Sequence, residues 1–502
     1  MTTPHRVPNA AAPPPDRVPD GPMSPALRAP HDAPRSAEQL ALLERIELRD
    51  ARLAVIGLGF VGTPVAAAFA AAGFDVTGID IDTARASAVD RGRVPFEGQE
   101  PGLAELLAEV VAAGRLRATT DYAAIAGADA VLVAVETPVD ADHRPRYTAL
   151  AGALASLGPH LRPGTLVVIE STLAPGTMRR LVVPALAAAS GLAVPGDLLV
   201  AHCPERVMPG RLLANLKAMS RVVGGVTAEA AEVARALYGT VVEAELDTAD
   251  DLTAELVKTG ENAYRDVQIA FANEMALLCE ALGADVWRVR ELLNRSPGRH
   301  MHLPGGGVGG HCIPKDPWLL ISDPGRGFAA RLIPAARAVN DGMPHHVAGR
   351  TLAALTAAGI SPREARVAVL GASYLEESDD ERNAPTHDLV AALTAVGVDV
   401  RVHDPWVARY AERPVADVVD GCDAVVVMVA HAVYRALDWA ALRERARGAV
   451  PALIDARRAV DAGAARAAGW RVGVIGVGAA ARAGAEEGAG DEGGADLTGD
   501  RP

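Results

Sequence analysis

Twice along this chain, short apolar runs of strand-forming residues alternate with Ala- and Leu-rich stretches at helical spacing. The first set includes residues 51–58 (ARLAVIGL), 74–80 (FDVTGID), 128–135 (ADAVLVAV), 165–172 (TLVVIEST) and 197–203 (DLLVAHC). The second restarts near 365 with REARVAVLGASY and continues through VDVRVHDP, CDAVVVMVA, GAVPALIDAR and WRVGVIGVG, ending near 478. Continuously apolar strands must be covered on both faces, and strands separated by helices do this as βαβ units around a parallel sheet. Between the two sets lies one long helical pattern, residues 251–283, with Asp250 or Asp251 available to cap its start and Gly283 to end it.

The expected fold is therefore α/β: two Rossmann-like, doubly wound domains joined by a central helical domain with one long helix. The boundaries fall at 49–227, 228–340 and 341–478, and such an architecture places a ligand site between the two sheets. Residues 1–48 hold ten of the 35 prolines and no aromatic residue, and residues 479–502 are glycine-rich and acidic, so both are expected to be disordered tails.

Charge and cysteine usage narrow the function. With 49 basic against 63 acidic residues the net charge is −14, which argues against a nucleic-acid or anionic-membrane surface. No apolar run reaches the length of a membrane span and no signal pattern opens the chain, so a cytoplasmic protein is expected. Four cysteines without CxxC spacing point to a reducing compartment rather than to disulfides or structural zinc. Only Lys217, Lys258 and Lys315 are lysines; every other basic residue is arginine. A lysine in such a background suggests a need for a compact ammonium.

Three segments carry chemistry. Gly57-Leu58-Gly59-Phe60-Val61-Gly62 follows a strand and opens a helix, the context in which such glycines admit a dinucleotide pyrophosphate to a helix N-terminus. Asp80 ends the next strand, where it would accept both ribose hydroxyls and repel a 2′-phosphate, favouring NAD over NADP. The late GVIGVG at 473–478 has no following helix and is a decoy. The second segment, residues 305–317 (GGGVGGHCIPKDP), has five glycines in six residues and delivers Cys312 beside Lys315 and Asp316. A nearby cation makes a thiol a better nucleophile at neutral pH. Cys203, Cys279 and Cys422 fit inert core positions, and His311 lacks the further ligands a metal would need, so no metal is expected. The third segment is the long helix, where Lys258 and Asn262 are spaced i, i+4 on one face.

Taken together with Glu136-Thr137-Pro138, Glu170-Ser171-Thr172, Cys203-Pro204-Glu205-Arg206 and the stretch from Gly371 to Arg382, these motifs resemble the UDP-glucose/GDP-mannose dehydrogenase superfamily over about residues 50–478. PERVMPGR and GGHCIPKDPWLL look most like its UDP-N-acetylhexosamine branch, particularly enzymes of UDP-N-acetyl-D-mannosamine. The resemblance implies NAD-dependent four-electron oxidation of a sugar C6 alcohol to a uronate. Separately, the 251–283 helix carries more apolar residues than one buried face requires, including Tyr264, Val267, Phe271, Met275 and Leu278, so a homodimer or higher even oligomer built around it is expected. The resemblance makes Cys312 the nucleophile and gives Lys258 and Asn262 the developing oxyanion. Asp316 becomes an acid/base or water-orienting carboxylate, and Glu205 and Thr137 position the hydrolytic water. It assigns NAD contacts to Gly57, Gly59, Phe60, Val61, Gly62, Asp80, Arg85, Glu136, Thr137, Thr172, Lys315 and Arg382. Sugar-nucleotide contacts fall to Glu205, Arg206, Lys258, Asn262, Arg299 (or Arg295), Leu303, Gly305, Gly306, Gly307 and Gly309. The chain departs from the family at Tyr374-Leu375-Glu376, where a lysine is usual, and at Asn383-Ala384, where Glu-Ser is usual. The rival readings are UDP-glucose oxidation, a two-electron 3-hydroxyacid-type dehydrogenase, and a non-catalytic sugar-nucleotide-binding protein.

Overall fold

The computed structural model describes residues 37–96, 98, 100–206, 210–323 and 328–481. Most of the two expected tails, 1–36 and 482–502, lies outside the described residues. Residues 37–48 are a correction: Ala37–Leu48 is a helix, and Leu42 and Ile46 are buried in the first core. The pair is spaced i, i+4, so one face of LALLERIEL is apolar enough to dock where the preceding proline-rich stretch is not.

The described residues form two compact units, one within 37–262 with 315–329 and one within 263–314 with 330–481. The central segment expected as a third domain is thus shared between them. The long helix Asp251–Leu282 gives its first turns to one unit and the remainder to the other. Asp250 caps it, its carboxylate accepting from the Thr253 N–H (3.0 Å) and hydroxyl (2.8 Å), and Gly283 ends it at φ +81°.

The first unit is built on β1 (Arg52–Ile56), β2 (Asp75–Ile79), β3 (Leu116–Thr119), β4 (Ala130–Val133), β5 (Leu166–Ile169), β6 (Leu199–His202), β7 (Arg221–Gly225) and β8 (Leu246–Asp250). Their order is 3-2-1-4-5-6-7-8, parallel throughout except for the antiparallel β6–β7 pair. The order reverses between β1 and β4, which places the 57–62 turn and the 134–138 segment at the switch point where doubly wound sheets bind ligands. The sheet does not stop at 227 as expected. Helix Ala228–Tyr238 buries Val233 and Leu237 in the same core, and β8 extends the sheet to Asp250.

The second unit carries β9 (Arg366–Leu370), β10 (Asp399–His403), β11 (Ala424–Val427), β12 (Ala452–Asp455) and β13 (Arg471–Val474), all parallel, in the order 10-9-11-12-13. That is the other common doubly wound order. Helix Leu332–Ala357 buries Met343, Val347 and Leu355 in this core. The molecule therefore has two Rossmann-like domains joined by a central region containing long helices. No helix among the described residues is long and apolar enough to cross a membrane.

Candidate active site

At the switch point each glycine of the 57–62 turn has a different reason to be glycine. Gly57 has φ +89°, and a Cβ there would lie 2.6 Å from the Ala134 carbonyl oxygen. A Cβ on Gly62 would collide with the Gly57 oxygen at 1.8 Å, so this residue serves helix–strand packing. Gly59 is unlike both: a Cβ would meet nothing within 4 Å. No contact within the chain requires glycine there, which fits a backbone left bare for a dinucleotide. Phe60 packs on Phe96 with ring centroids 5.1 Å apart, and Val61 precedes the first turn of helix Gly62–Ala71.

Asp80 accepts from the Leu58 N–H (2.7 Å) and the Asp82 N–H (2.9 Å), with Arg85 Nη1 3.9 Å away. A carboxylate has about four acceptor sites, so this one keeps capacity for a pair of ribose hydroxyls. Nearby, the Thr137 hydroxyl donates to the Thr172 carbonyl (2.7 Å) and the Ser171 hydroxyl to the Val135 carbonyl (2.6 Å), tying together the segments that follow β4 and β5. Glu136 is exposed between them. These groups would hold NAD, with its pyrophosphate at the turn and its ribose at Asp80.

Also in the first unit, the long helix presents Lys258 and Asn262. The Asn262 Nδ2 donates to Asp316 Oδ2 (2.6 Å), and Lys315 Nζ lies 2.8 Å from the other Asp316 oxygen. Asp316 is fully buried and opens helix Asp316–Ile321. An amide nitrogen carries two N–H donors, so Asn262 keeps one for a further acceptor while Asp316 fixes its plane. Lys258 is only 9% exposed, and among the described residues it has neither a hydrogen bond nor an ion pair. Its charge is nevertheless felt: burial first, and then Lys258, drives the pKa of His202 down to about 4. The Lys258 stem is buried while its ammonium is not among the buried polar atoms left without a partner, so the charge is available to an anionic or oxyanionic group. Lys217, by contrast, is exposed on a short helix.

Glu205 is less available than its motif suggests. It is buried, its Oε2 lies 2.5 Å from Arg221 Nη2, and its Oε1 accepts from the Arg206 N–H (2.8 Å). Arg221 is 1% exposed and also lies 3.7 Å from Glu170, whose other oxygen accepts from the Tyr238 hydroxyl at 2.5 Å. Burial pushes the Glu170 pKa up, Arg221 opposes this, and the charge on Glu205 adds to it. Arg206 bonds Glu261 (Nε, 3.0 Å) and the Ser220 carbonyl (2.6 Å). Arg221 was not singled out in the sequence, although an arginine inside an otherwise apolar run (RVVGG) is a usable signal.

The thiol segment belongs to the second unit. Its glycines are packed against protein rather than left open. Added Cβ atoms would meet Arg457 at Gly305 (2.8 Å), Met428 at Gly306 (2.8 Å), Pro385 at Gly307 (2.9 Å) and Tyr374 at Gly309 (2.6 Å). Glycine at these positions therefore lets the loop lie flat on the second sheet's loops. The Gly305 N–H donates to Asn273 (2.9 Å) and the Gly310 N–H to the Arg382 carbonyl (2.9 Å). The Asn383 side chain, in the left-handed region at φ +50°, donates to the Gly310 carbonyl (3.1 Å). Cys312, two residues on, is exposed, whereas Cys203, Cys279 and Cys422 are buried. Leu303 is 50% exposed; Arg299 is exposed, donating to the Pro297 carbonyl, and Arg295 pairs with Glu291. Arg457, against Gly305, is a second basic residue that sequence reasoning passed over. Among the described residues no cluster of three or more His, Cys, Asp or Glu is placed to hold a metal.

A dinucleotide turn with an acidic strand end, a second doubly wound domain and an exposed thiol define a dinucleotide-dependent dehydrogenase. Comparison with known proteins resolves the class further. Family models of the UDP-glucose/GDP-mannose dehydrogenase family match residues 51–242 (NAD binding domain), 252–342 (central domain) and 368–462 (UDP binding domain). A UDP-N-acetyl-D-mannosamine dehydrogenase of Pyrococcus horikoshii is 38% identical over 82% of this chain and 96% of its own. A solved structure of UDP-D-ManNAc dehydrogenase from the same organism superposes with a TM-score of 0.80 at 37% identity, covering 85% of this chain and 99% of the other. An NDP-N-acetyl-D-galactosaminuronic acid dehydrogenase from Methanosarcina mazei Go1 gives 0.78 at 34% identity, covering 89% and 99%. The chain belongs to the UDP-glucose/GDP-mannose dehydrogenase family. It is an NAD-dependent oxidoreductase of nucleotide sugars that carries out the family's four-electron oxidation.

Proposed function

We propose that the substrate is a UDP-N-acetylhexosamine, UDP-N-acetyl-D-mannosamine first among them, and that the product is the corresponding UDP-uronate, made through a thioester on Cys312. The observation that carries this reading is Cys312 itself, the one exposed cysteine, held at the end of a glycine loop and followed directly by Lys315 and Asp316. NAD, when bound, accepts one hydride in each of two oxidations. In the first, the C6 hydroxyl gives its proton to a base while the C6 carbon loses a hydride, leaving an aldehyde. The Cys312 thiol then adds to that carbonyl, forming a carbon–sulfur bond and a hydroxyl. Loss of that hydroxyl's proton and of a second hydride gives the thioester. Water cleaves it, returning the thiol and releasing the acid.

Lys258 and the second N–H of Asn262 stabilise the oxyanion of each tetrahedral state, and Asp316 fixes Asn262. Glu205, held by Arg221, orients the hydrolytic water, with Thr137 ordering the neighbouring loop. Asp80, Arg85, Glu136, Thr172 and Arg382 belong to the dinucleotide's surroundings. Arg206, Arg299 and Leu303 belong to the sugar nucleotide's. Arg457 supplies positive charge beside the glycine loop in a chain where Leu375 stands in place of the usual lysine.

The active form is read as a cytoplasmic homodimer built on the long helix. Tyr264, Phe271 and Leu278 recur at seven-residue spacing on it and are 66%, 51% and 48% exposed, an apolar stripe that suits a second copy. Substrate choice is tested by following NAD reduction over a panel of UDP- and GDP-sugars. UDP-N-acetyl-D-mannosamine is expected to give the highest kcat/KM, and preference for UDP-glucose would replace this reading with the UDP-glucose one.

A further inference from the structure

Across the first sheet the starts of neighbouring strands alternate in charge. In the order β3, β2, β1, β4 they carry Arg115 (just before β3), Asp75, Arg52 and Asp129 (just before β4). Together with Arg45 of helix Ala37–Leu48, Arg49 and Asp50 just after it, and Arg162 ahead of β5, these residues line one cleft of about 390 Å³. The strands are parallel here, so the cleft lies at the opposite end of the sheet from the 57–62 turn. The length of β1, about 16 Å, separates the two. Arg45, Arg49 and Asp50 precede residue 51, where the match to the family's NAD binding domain begins, so they add a wall that the matched domain does not include.

Alternating charges cancel only where they pair, and most of these do not. Asp129 is spent: one oxygen accepts from the Arg52 N–H (2.8 Å), and the other bonds Arg162 and lies 3.2 Å from Arg45. Asp50 and Asp75 form no ion pair among the described residues. Arg49 donates to the Ile46 (2.7 Å) and Glu47 (3.1 Å) carbonyls and lies over the Phe74 ring, while Arg115 donates to the Gly73 carbonyl (2.9 Å). Those acceptors are neutral and leave both positive charges standing. Arg52 is exposed, and among the described residues its guanidinium has neither a hydrogen bond nor an ion pair. Its Nη2 lies 2.8 Å from where a Cβ on Gly127 would stand, and Arg162 donates to the Gly127 carbonyl (3.3 Å). The guanidinium groups thus gather in two sets: Arg45, Arg52 and Arg162 around 127–129, and Arg49 and Arg115 around 73–74. Five arginines against three aspartates leave two positive charges in excess, in a chain whose net charge is −14.

We propose that this cleft binds a small molecule carrying two or more phosphate groups, which spans the two sets of arginines and fastens helix Ala37–Leu48 to the sheet. A guanidinium presents several donors in a planar fork that matches phosphate oxygens, and two such sets lining one cleft suit a phosphate chain. The site lies outside the oxidation chemistry and does not depend on the role given to Cys312.

Calorimetric titration of the full chain with tripolyphosphate tests this, with NAD and UDP in excess so that the dinucleotide and sugar-nucleotide sites are filled. One saturable site per chain is expected, with a Kd below about 100 µM at low salt and weaker binding as salt is raised. The double variant Arg52→Gln, Arg115→Gln should weaken binding about tenfold or more. Neither side chain pairs with a carboxylate, so their loss strands no charge, and circular dichroism should show the fold kept. Asp75→Asn removes an opposing charge from the same cleft and should tighten binding about threefold. A cleft that had merely been distorted would weaken in both variants. ATP, titrated in the same way, separates the two sources of such a chain. Tighter binding than tripolyphosphate identifies a nucleotide as the ligand, and equal or weaker binding identifies the phosphate chain alone. Citrate, with three carboxylates, should bind at least about tenfold more weakly than tripolyphosphate. No saturable binding of tripolyphosphate, citrate binding as tightly, an affinity unchanged in the double arginine variant, or weaker binding by Asp75→Asn would overturn the proposal.

Discussion

The two doubly wound domains set equivalent aspartates to different work. Asp80 follows β2 and Asp404 follows β10, each at the end of the second strand of its βαβ unit. Asp80 accepts two backbone N–H groups, and the nearest cation is 3.9 Å away. Asp404 accepts four, from Ala372 (2.7 Å), Ser373 (3.0 Å), Trp406 (2.8 Å) and Val407 (3.2 Å), and also meets His431 Nε2 at 3.2 Å. Burial alone would push the Asp404 pKa up, but the bonds from His431, Ser373, Trp406 and Ala372 outweigh it and hold it at about 2. With about four acceptor sites on a carboxylate, Asp404 is saturated by its own chain and Asp80 is not. The fold is shared; unspent bonding capacity is what separates a ligand site from a structural knot. Lys258 obeys the same rule: among the described residues it has no hydrogen bond or ion pair, whereas Arg221 is enclosed by two carboxylates.

The contrast is open to attack at each residue. The largest effect should fall on stability, not on turnover. Asp404→Ala leaves four backbone donors without their acceptor and takes away one partner of His431, and is expected to cost about 3–5 kcal/mol in chemical denaturation. Its pH dependence has a definite sign. The folded carboxyl titrates below its unfolded value of 3.8, so its contribution is present above about pH 4 and lost as pH falls toward 2. The gap between wild type and variant should therefore narrow by about 2 kcal/mol over that interval. Lys258→Ala should do the reverse, leaving stability nearly intact and reducing turnover about 100- to 1000-fold, or ~2.7–4 kcal/mol. Lys258→Arg sharpens this, because a planar fork does not fill an ammonium's place; wild-type turnover in that variant would remove the oxyanion role. The smallest effect belongs to Asp80→Asn. Wild type should prefer NAD over NADP by at least ~10-fold, about 1.4 kcal/mol. The variant should lose most of that preference when the ratio of kcat/KM values is measured.

Much of this was legible in the sequence, and the omissions have physical causes. Ten strand-like runs mark ten of the thirteen strands among the described residues, and the 251–283 pattern marks the long helix to within a residue at its end. The three strands without such a signal are short or polar. In β3 only Leu116 is buried, β8 reads LDTAD and is half-buried or exposed throughout, and β7 opens with Arg221. β3 and β8 are the two edges of the first sheet, where an apolar run is not needed, so periodicity has nothing to report there; β7 is an interior strand whose run is broken by Arg221 and two glycines. Spacing alone sufficed to place Lys258 and Asn262 on one helix face. It did not suffice where two distant segments meet: Arg221 on Glu205, Asn383 on Gly310 and Arg457 against Gly305 are tertiary pairings with no local signature. The glycine loop shows the same limit. Its composition demands that the backbone come close to something, but only the packing reveals that the neighbour is the chain itself.

The central claim is that one thiol carries both oxidations of a single sugar. Counting NADH formed against UDP-uronate formed, with an aldehyde trap present, tests it most directly. The account predicts two NADH per sugar and no trapped aldehyde from the wild-type chain. From Cys312→Ala, which should still bind NAD and UDP-sugar, it predicts a fall in acid formation of several orders of magnitude. One NADH per sugar, or acid formed at the wild-type rate without Cys312, would contradict it.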